Sequence, residues 1–427
     1  MEAQSRHDQK VIYYYFLAVS LIIIIAAFIV NEGGILSGWI KILTSPAALT
    51  MDYVELGGIG AALLNSGVMG VVSFALFTFS KNNLSAPAFS AYFLTVGFSL
   101  FGMNPLNTAP IILGVFIYTR LAKEKFADHI NTSLFACAAA PFVSEILFSY
   151  YINIPFRFSI PTAIVSGIII GMVFAPLLSH FKVIHKGFML FNAGITAGFL
   201  DLAIFSLYRT FVLQPQDADS AYHLNNISSD GFPMIFGILF GIIFLFSIIL
   251  GVILNKGNQH IFKKLVCHTG YDVDFTSEIS LGSVYMNIGC LGSVFLLYFM
   301  CIGSPINGPV MGALLGIVAC AASGSHIRNT LPILIGYIIV SFLSVWNPSD
   351  QGISVALCYA TCLSPISGKY GYTAGIIAGA FHACLGPFAA TICGGLNLYN
   401  GGFTAGLAVI ILLPLLEAVV KIRNHKT

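Results

Sequence analysis

The sequence predicts an all-α polytopic membrane protein made of two inverted seven-segment repeats with broken or re-entrant helices. Three observations carry that expectation. The 427-residue chain is 57% hydrophobic and only 8% charged, against about 25% charged in a typical soluble domain. Apolar runs of about 18 or more residues recur from end to end, as spanning helices require. Finally, the chain is written twice. A shift of 222 positions lays residues 60–117 on 282–339 without a gap, with sixteen identities. Among them are Gly60/Gly282, Asn65/Asn287, Gly67/Gly289, Gly70/Gly292, Pro87/Pro309, Gly102/Gly324 and Gly114/Gly336. The densest stretch sets Asn107-Thr108-Ala109-Pro110-Ile111 against Asn329-Thr330-Leu331-Pro332-Ile333. A second block aligns at a shift of 208, with Gly167-Ile168-Ile169 on Gly375-Ile376-Ile377 and Asn192…Gly198 on Asn400…Gly406. Shared apolar composition would spread matches over Leu, Ile, Val and Ala. These fall instead on Gly, Pro, Asn and Thr, a pattern expected of the internal repeats of secondary transporters.

Fourteen apolar segments are expected at 11–30, 57–79, 86–101, 107–119, 131–151, 160–179, 187–207, 233–254, 281–302, 307–322, 330–346, 352–364, 371–390 and 400–419. They are too long for the roughly 10-residue alternating strands of a membrane barrel, so they read as helices. The first, Val11 to Val30, lacks a small-residue cleavage site and reads as a retained helix. Lys10, Lys81, Arg120/Lys123/Lys125, Lys182/Lys186, Lys256/Lys263/Lys264, Arg328, Lys369 and Lys421/Arg423/Lys426 fall on alternate loops. The other loops hold little beyond Lys41, Arg157 and Arg209. This asymmetry puts both termini in the cytoplasm. It leaves loop 208–231, with Asp217, Asp219 and Asp230, outside. The N-terminal repeat is then 1–230 and the C-terminal repeat 231–427. Corresponding segments are seven crossings apart, an odd number, so the copies oppose each other in the membrane. Cytoplasmic Arg120–Lys125 accordingly matches the cation-free stretch Trp346–Gly352, and the Lys182/Lys186 loop matches uncharged residues near Cys393.

Several segments are short. Residues 107–119 and 352–364 span 13 positions each, where about 20 are needed to cross a 30 Å hydrocarbon core. Segments 86–101 and 307–322 are short too and carry Gly and Pro. Each pair reads either as two broken crossings or as one re-entrant hairpin.

The Asn-Thr-x-Pro-Ile pairs are the first candidates for chemistry. Proline in a membrane helix frees backbone polar groups, tolerated there only within protein or beside a cavity. Half-helix ends add partial charge. Asn107, Thr108, Asn329 and Thr330 are therefore expected to converge on a polar substrate site, against the plainer role of gluing helices together. Ser325, His326 and Arg328 precede the second motif. At a hairpin tip Arg328 suits a carboxylate or phosphate, and otherwise it is a cytoplasmic anchor. Glu145 and Lys369 occupy matched positions with opposite charge, after Pro141 and Pro365. Glu145 and Asp201 lie within apolar segments, where an ionisable group is a functional candidate. Together with His326 and Lys369 they are the candidates for coupling to H+ or Na+, although Lys369 at a segment end also fits snorkelling. Asn192 and Asn400 are weaker cavity candidates. His382, alone on an apolar face, reads as a core histidine. Cys137, Cys267, Cys290, Cys301, Cys320, Cys358, Cys362, Cys384 and Cys393 form no CxxC pair and read as small hydrophobes. No metal site, cofactor or nucleic-acid patch is expected, and no catalytic motif argues for an enzyme.

The run Gly394-Gly395-Leu396-Asn397-Leu398-Tyr399-Asn400-Gly401-Gly402-Phe403, with Ala140-Pro141-Phe142-Val143-Ser144-Glu145, resembles a bacterial multi-pass membrane family known only as a domain of unknown function. The likeness covers nearly the whole chain. It implies a bacterial inner-membrane protein and supplies no substrate. At the level of architecture alone, seven-plus-seven inverted repeats with broken segments look like nucleobase and sulfate transporters. The likeness stops there, because segment 233–254 lacks the acidic residue that nucleobase carriers use. The expected function is a secondary active transporter of a small polar metabolite, an anionic one included, working by alternating access in membrane lipid. A homodimer is open. The rival is a passive channel for a small neutral solute such as urea. A receptor or assembly component ranks last, since the longest polar loop has only 24 residues.

Overall fold

The computed structural model describes residues 2–30, 33–47, 51–81, 84–148, 156–211, 233–392 and 394–424. Most of the expected external loop, with Asp217, Asp219 and Asp230, lies outside the described residues, as does Cys393. Among the described residues the chain is all-α. The N-terminal half runs α1 (Glu2–Ile29), α2 (Ile35–Leu43), α3 (Tyr53–Gly57), α4 (Ile59–Ser80), α5 (Ala86–Phe98), α6 (Pro105–Ala122), α7 (Ile130–Ala136), α8 (Ala140–Phe148), α9 (Phe156–His185) and α10 (Asn192–Phe211). The C-terminal half runs α11 (Pro233–Leu254), α12 (Gln259–Cys267), α13 (Phe275–Glu278), α14 (Leu281–Ile302), α15 (Gly308–Ala319), α16 (Ile327–Ser341), α17 (Gln351–Ala360), α18 (Ser364–Tyr370), α19 (Tyr372–Ile392) and α20 (Asn400–Asn424). Among the described residues seven helical stretches are long and apolar enough to cross a membrane: 7–29, 59–80, 126–148, 157–185, 234–254, 281–302 and 400–424. The chain is thus a membrane protein.

Matched sequence produces matched elements. Helices α4 and α14 both have 22 residues and begin 222 positions apart. Asn65, buried in α4, donates from Nδ2 to the carbonyls of Ser99 (2.7 Å) and Met103 (2.8 Å). Asn287 in α14 donates to Ala321 (2.8 Å) and Ser325 (2.7 Å) in the same way. Each asparagine thereby satisfies carbonyls that the helix break downstream leaves without an intrahelical partner. The pairings recur as well: α1 packs on α4 and α11 on α14, while α6 packs on α9 and α16 on α19.

The breaks resolve in different ways. The expected 13-residue segment at 352–364 is longer than composition suggests. Helix α17 passes through the 3₁₀ turn Thr361–Leu363 into α18, and α7 passes through Cys137–Ala139 into α8. Helices α15 and α16 fold back as a hairpin. Asn307, the N-cap of α15, donates to the side chain of Gln351, the first residue of α17. Helix α16 ends at Ser341, and the short link 342–350 reaches that level only if α16 reverses the direction of α15. Segment length alone could not separate a hairpin from two crossings.

At the centre α5 and α15 pack antiparallel. Ser90 Oγ on α5 donates to the Ala319 carbonyl at the far end of α15 (2.6 Å). Gly97 and Gly312 face each other so closely that a Cβ on either would strike the other's carbonyl oxygen. Two aspartates staple the ends by exchange. Asp274, N-cap of α13, accepts from Ala86 N at the start of α5 (3.0 Å), and Asp52, N-cap of α3, accepts from Gly308 N at the start of α15 (3.4 Å). Each half also lends backbone to the other's broken helix, through Leu190 N to Cys362 O (3.1 Å) and Leu398 N to Ala138 O (3.2 Å).

Candidate functional site

A crevice of about 530 Å³ opens between the halves. Its walls are the first turn of α5, the end of α9, the link into α10, and residues 272–278 before and within α13. Helix α9 ends where the chain turns through Lys186 and Gly187, both at positive φ. That turn sets His185 against Asn192 at the start of α10. His185 Nε2 meets Asn192 Oδ1 at 2.9 Å, and Asn192 Nδ2 donates to the Leu178 carbonyl (2.7 Å), so the wall is held by a closed chain of bonds. Among the described residues the Nδ1 of His185 is buried without a partner, as is the hydroxyl of Tyr399, which also lines the crevice. The rim carries both signs, with exposed Lys182 on one lip and exposed Asp272 and Glu278 on the other. Beneath lies an aromatic floor. Phe191 sits 5.5 Å from Tyr399 and 5.9 Å from Tyr359, the two tyrosines are 5.9 Å apart, and Phe98 stands 4.9 Å from Tyr399. Such a site suits a small polar solute: a ring of mixed charge outside, and unsatisfied hydrogen-bonding groups over aromatic surface within.

The positions that line this crevice are treated oppositely in the other half. Ser85, Asn192 and Asp274 are half-buried. Their counterparts Asn307, Asn400 and Asp52 are 4%, 5% and 6% exposed. Burial pushes the Asp52 carboxyl up to about 6, opposed by the N–H groups of Val54 and Gly308 and reinforced by Glu55. A raised carboxyl favours this arrangement while protonated. Its contribution is therefore complete below the ordinary carboxylate range near about 4 and is lost as pH rises through about 6. Thermal unfolding at pH 5 and pH 7.5 is expected to show the wild-type protein more stable at pH 5, and Asp52→Asn to reduce that difference. An unchanged difference in the variant would assign it to other groups.

The two Asn-Thr motifs do not meet. Asn107 accepts from Asn104 N and donates to Gly102 O and Ser144 Oγ, all at 2.9 Å. Asn329 accepts from His326 N and donates to Gly324 O, both at 2.9 Å. Thr108 and Thr330 bond back to the carbonyls of Asn104 and His326. Asn107 and Asn329 are spent on the capping boxes that open α6 and α16, and the two threonines on the carbonyls of the N-cap residues. The breaks they cap lie at opposite ends of the antiparallel α5–α15 pair, so the expected common cavity does not form.

Ser325 is buried and pairs with Ser364 Oγ at 2.9 Å, tying the second break to α18. His326 is buried with Nε2 on the His268 carbonyl (2.8 Å). Arg328 is exposed on α16 and held by Tyr372 OH (2.7 Å), outside the crevice. Lys369 is exposed on α18 with its ammonium 3.7 Å above the Tyr271 ring. Glu145 is buried on α8. Asp201 is fully buried on α10, and among the described residues neither carboxylate oxygen has a hydrogen-bond partner. His382 is a satisfied core histidine, bonded to Tyr337 OH, Gly401 O and Thr404 Oγ1. Among the described residues no group of three His, Cys, Asp or Glu side chains is placed to hold a metal.

Lys182, His185, Asp272, Asp274 and Tyr399 are the crevice residues that sequence reasoning missed. One signal was present: Asp52 and Asp274 share the 222 shift just upstream of the aligned window. No curated protein and no solved structure matches the chain. The family model described as "Protein of unknown function (DUF1576)" matches residues 31–210 and 254–418, one stretch from α2 to α10 and the other from α12 into α20. These stretches make up well over half of its length, and the chain belongs to the DUF1576 family of proteins of unknown function.

Proposed function

We propose that this protein is a secondary transporter of a small polar metabolite, built from two inverted repeats that give alternating access to a path between them. The repeats oppose each other in a bacterial inner membrane with both termini cytoplasmic, and the hairpins dip in from opposite faces. One observation carries the reading: equivalent positions of the two halves line an open crevice on one side and are sealed on the other, around antiparallel α5 and α15. Two-fold related halves in unlike states are what a carrier caught at one end of its cycle looks like. The Lys182 and Lys186 side is cytoplasmic by the distribution of cations, so this conformer faces inward. The mixed-sign rim favours a polar or zwitterionic solute over a purely anionic one. Coupling falls to Asp201 ahead of Glu145, because a carboxylate buried without a hydrogen bond needs a proton or a cation to balance it.

The test is a thermal-shift screen of purified protein against polar metabolites, with and without sodium and at two pH values. A ligand at one hundred times its Kd should stabilise by about 2.7 kcal/mol. That shift should shrink in Asn192→Ala and Tyr399→Phe. A ligand that stabilises all three proteins equally would place the site elsewhere. A solute flux that never saturates would favour the passive channel.

A further inference from the structure

The sealed side carries a feature that packing alone does not explain. Among the described residues, Asn400 is buried with both amide atoms lacking a hydrogen-bond partner, and Asn397 is buried with Nδ2 lacking one. The hydroxyls of Tyr359 and Tyr399 are equally without partners. Buried polar groups are almost always bonded, and each exception asks for an explanation. These four are neighbours. Asn397 Oδ1 accepts from Tyr399 N (2.7 Å), the tyrosine rings are 5.9 Å apart, and Gly401 abuts the Tyr359 ring. Asp201 lies at the same level. Gly198 abuts Phe403 and Phe205 abuts Gly394, so Asp201, between them on one face of α10, stands beside residues 394–403. Its carboxylate makes Asp201 the fifth side chain of the group with an unpartnered polar atom among the described residues.

The positions explain the company. At shifts of 208 and 224, Asn397, Asn400 and Tyr359 correspond to Met189, Asn192 and Phe135, all three of which line the open crevice. Tyr399 corresponds to Phe191 and touches both sides of the aromatic floor. We propose that Tyr359, Asn397 and Asn400 form the second half of the solute path, sealed in this conformer. When that side opens, they take the hydrogen-bonding groups of a small polar solute. The proposal rests on the alternating-access reading and adds to it where the far half-site lies and what lines it. The unpartnered amides and phenols are then donors and acceptors waiting for solute and water, and the aromatic floor is the partition between the two halves.

Full-length, otherwise cysteine-free protein in sealed vesicles of either orientation tests this with a small impermeant anionic methanethiosulfonate. Asn192→Cys should react only from the side of Lys182. Asn400→Cys should react only from the opposite side. If the outward conformer is populated at about 0.1–10%, Asn400→Cys should label about ten to a thousand times more slowly than Asn192→Cys. A disulfide between Lys182→Cys and Asp272→Cys, which draws the two lips together, should raise the Asn400→Cys rate toward that of an open site. Asn397→Cys gives the same readout should Asn400→Cys not yield monodisperse protein. Labelling of Asn400→Cys from the Lys182 side, or no labelling of either variant with the crevice locked, would overturn the proposal and leave the carrier reading standing. Access to Asn192→Cys and Asn400→Cys from both sides at once would instead overturn the carrier reading and identify a channel.

Discussion

Gly312→Leu is expected to eliminate folded protein. Overpacking a core costs about 1–3 kcal/mol when neighbouring side chains can shift. At Gly312 the first atom a Cβ meets is the backbone oxygen of Gly97, followed by the Phe101 ring. Helix α5 is held at its start by Ala86 N on Asp274 and Ser90 on the Ala319 carbonyl, and just past its end by Asn65 on the Ser99 carbonyl. Neither helix can retreat without breaking a contact between the halves. The cost should therefore exceed that range and consume much of a stability of about 5–15 kcal/mol. Size-exclusion chromatography of solubilised protein should show no monodisperse peak. Gly241→Leu is the control, since nothing lies within 4 Å of a Cβ there, and it should elute like the wild type. A normal peak from Gly312→Leu would mean that α5 and α15 are not in direct backbone contact.

Asp201→Asn is expected to leave folding intact and to abolish the response to the coupling ion. Holding an unpartnered ion in apolar surroundings costs several kcal/mol, so the proposed coupling role requires a proton or a cation to neutralise Asp201. The amide keeps the shape and removes the charge, so the melting temperature should hold or rise. The wild-type protein should be stabilised by sodium, or by acid if the ion is a proton, and at one hundred times Kd by about 2.7 kcal/mol. The variant should be flat to both. A wild-type protein indifferent to sodium and pH, with an Asp201→Asn variant that misfolds, would show that Asp201 is structural.

Much of the scaffold was legible because a repeat must preserve the residues that end and join its helices. Asn65/Asn287 and Asn107/Asn329 stood out in the alignment, and each satisfies backbone at a break. The same satisfaction disqualifies Asn107, Thr108, Asn329 and Thr330 as a joint solute site: a side chain that caps a helix has little left to offer. Whether a short segment turned back was not legible, because segment length does not report direction. The hairpin became visible only through the contact between Asn307 and Gln351. Nor was the crevice. Lys182, Asp272 and Glu278 look like ordinary loop charges in sequence, and only the crevice lined by the end of α9, the start of α5 and residues 272–278 gathers them. Arg328 and Lys369, conspicuous in an apolar chain, are engaged by Tyr372 and Tyr271 at the surface.

In the proposed carrier the two halves are threaded through the membrane in opposite directions, so that one crevice faces each side in turn. Position 127, between α6 and α7, and position 349, between α16 and α17, measure this most directly. Ala127→Cys and Ser349→Cys, each alone in a cysteine-free background, should react with an impermeant maleimide from opposite sides of the membrane, Ala127→Cys from the cytoplasm. Reaction of both from the same side would contradict the inverted arrangement and, with it, alternating access between the halves.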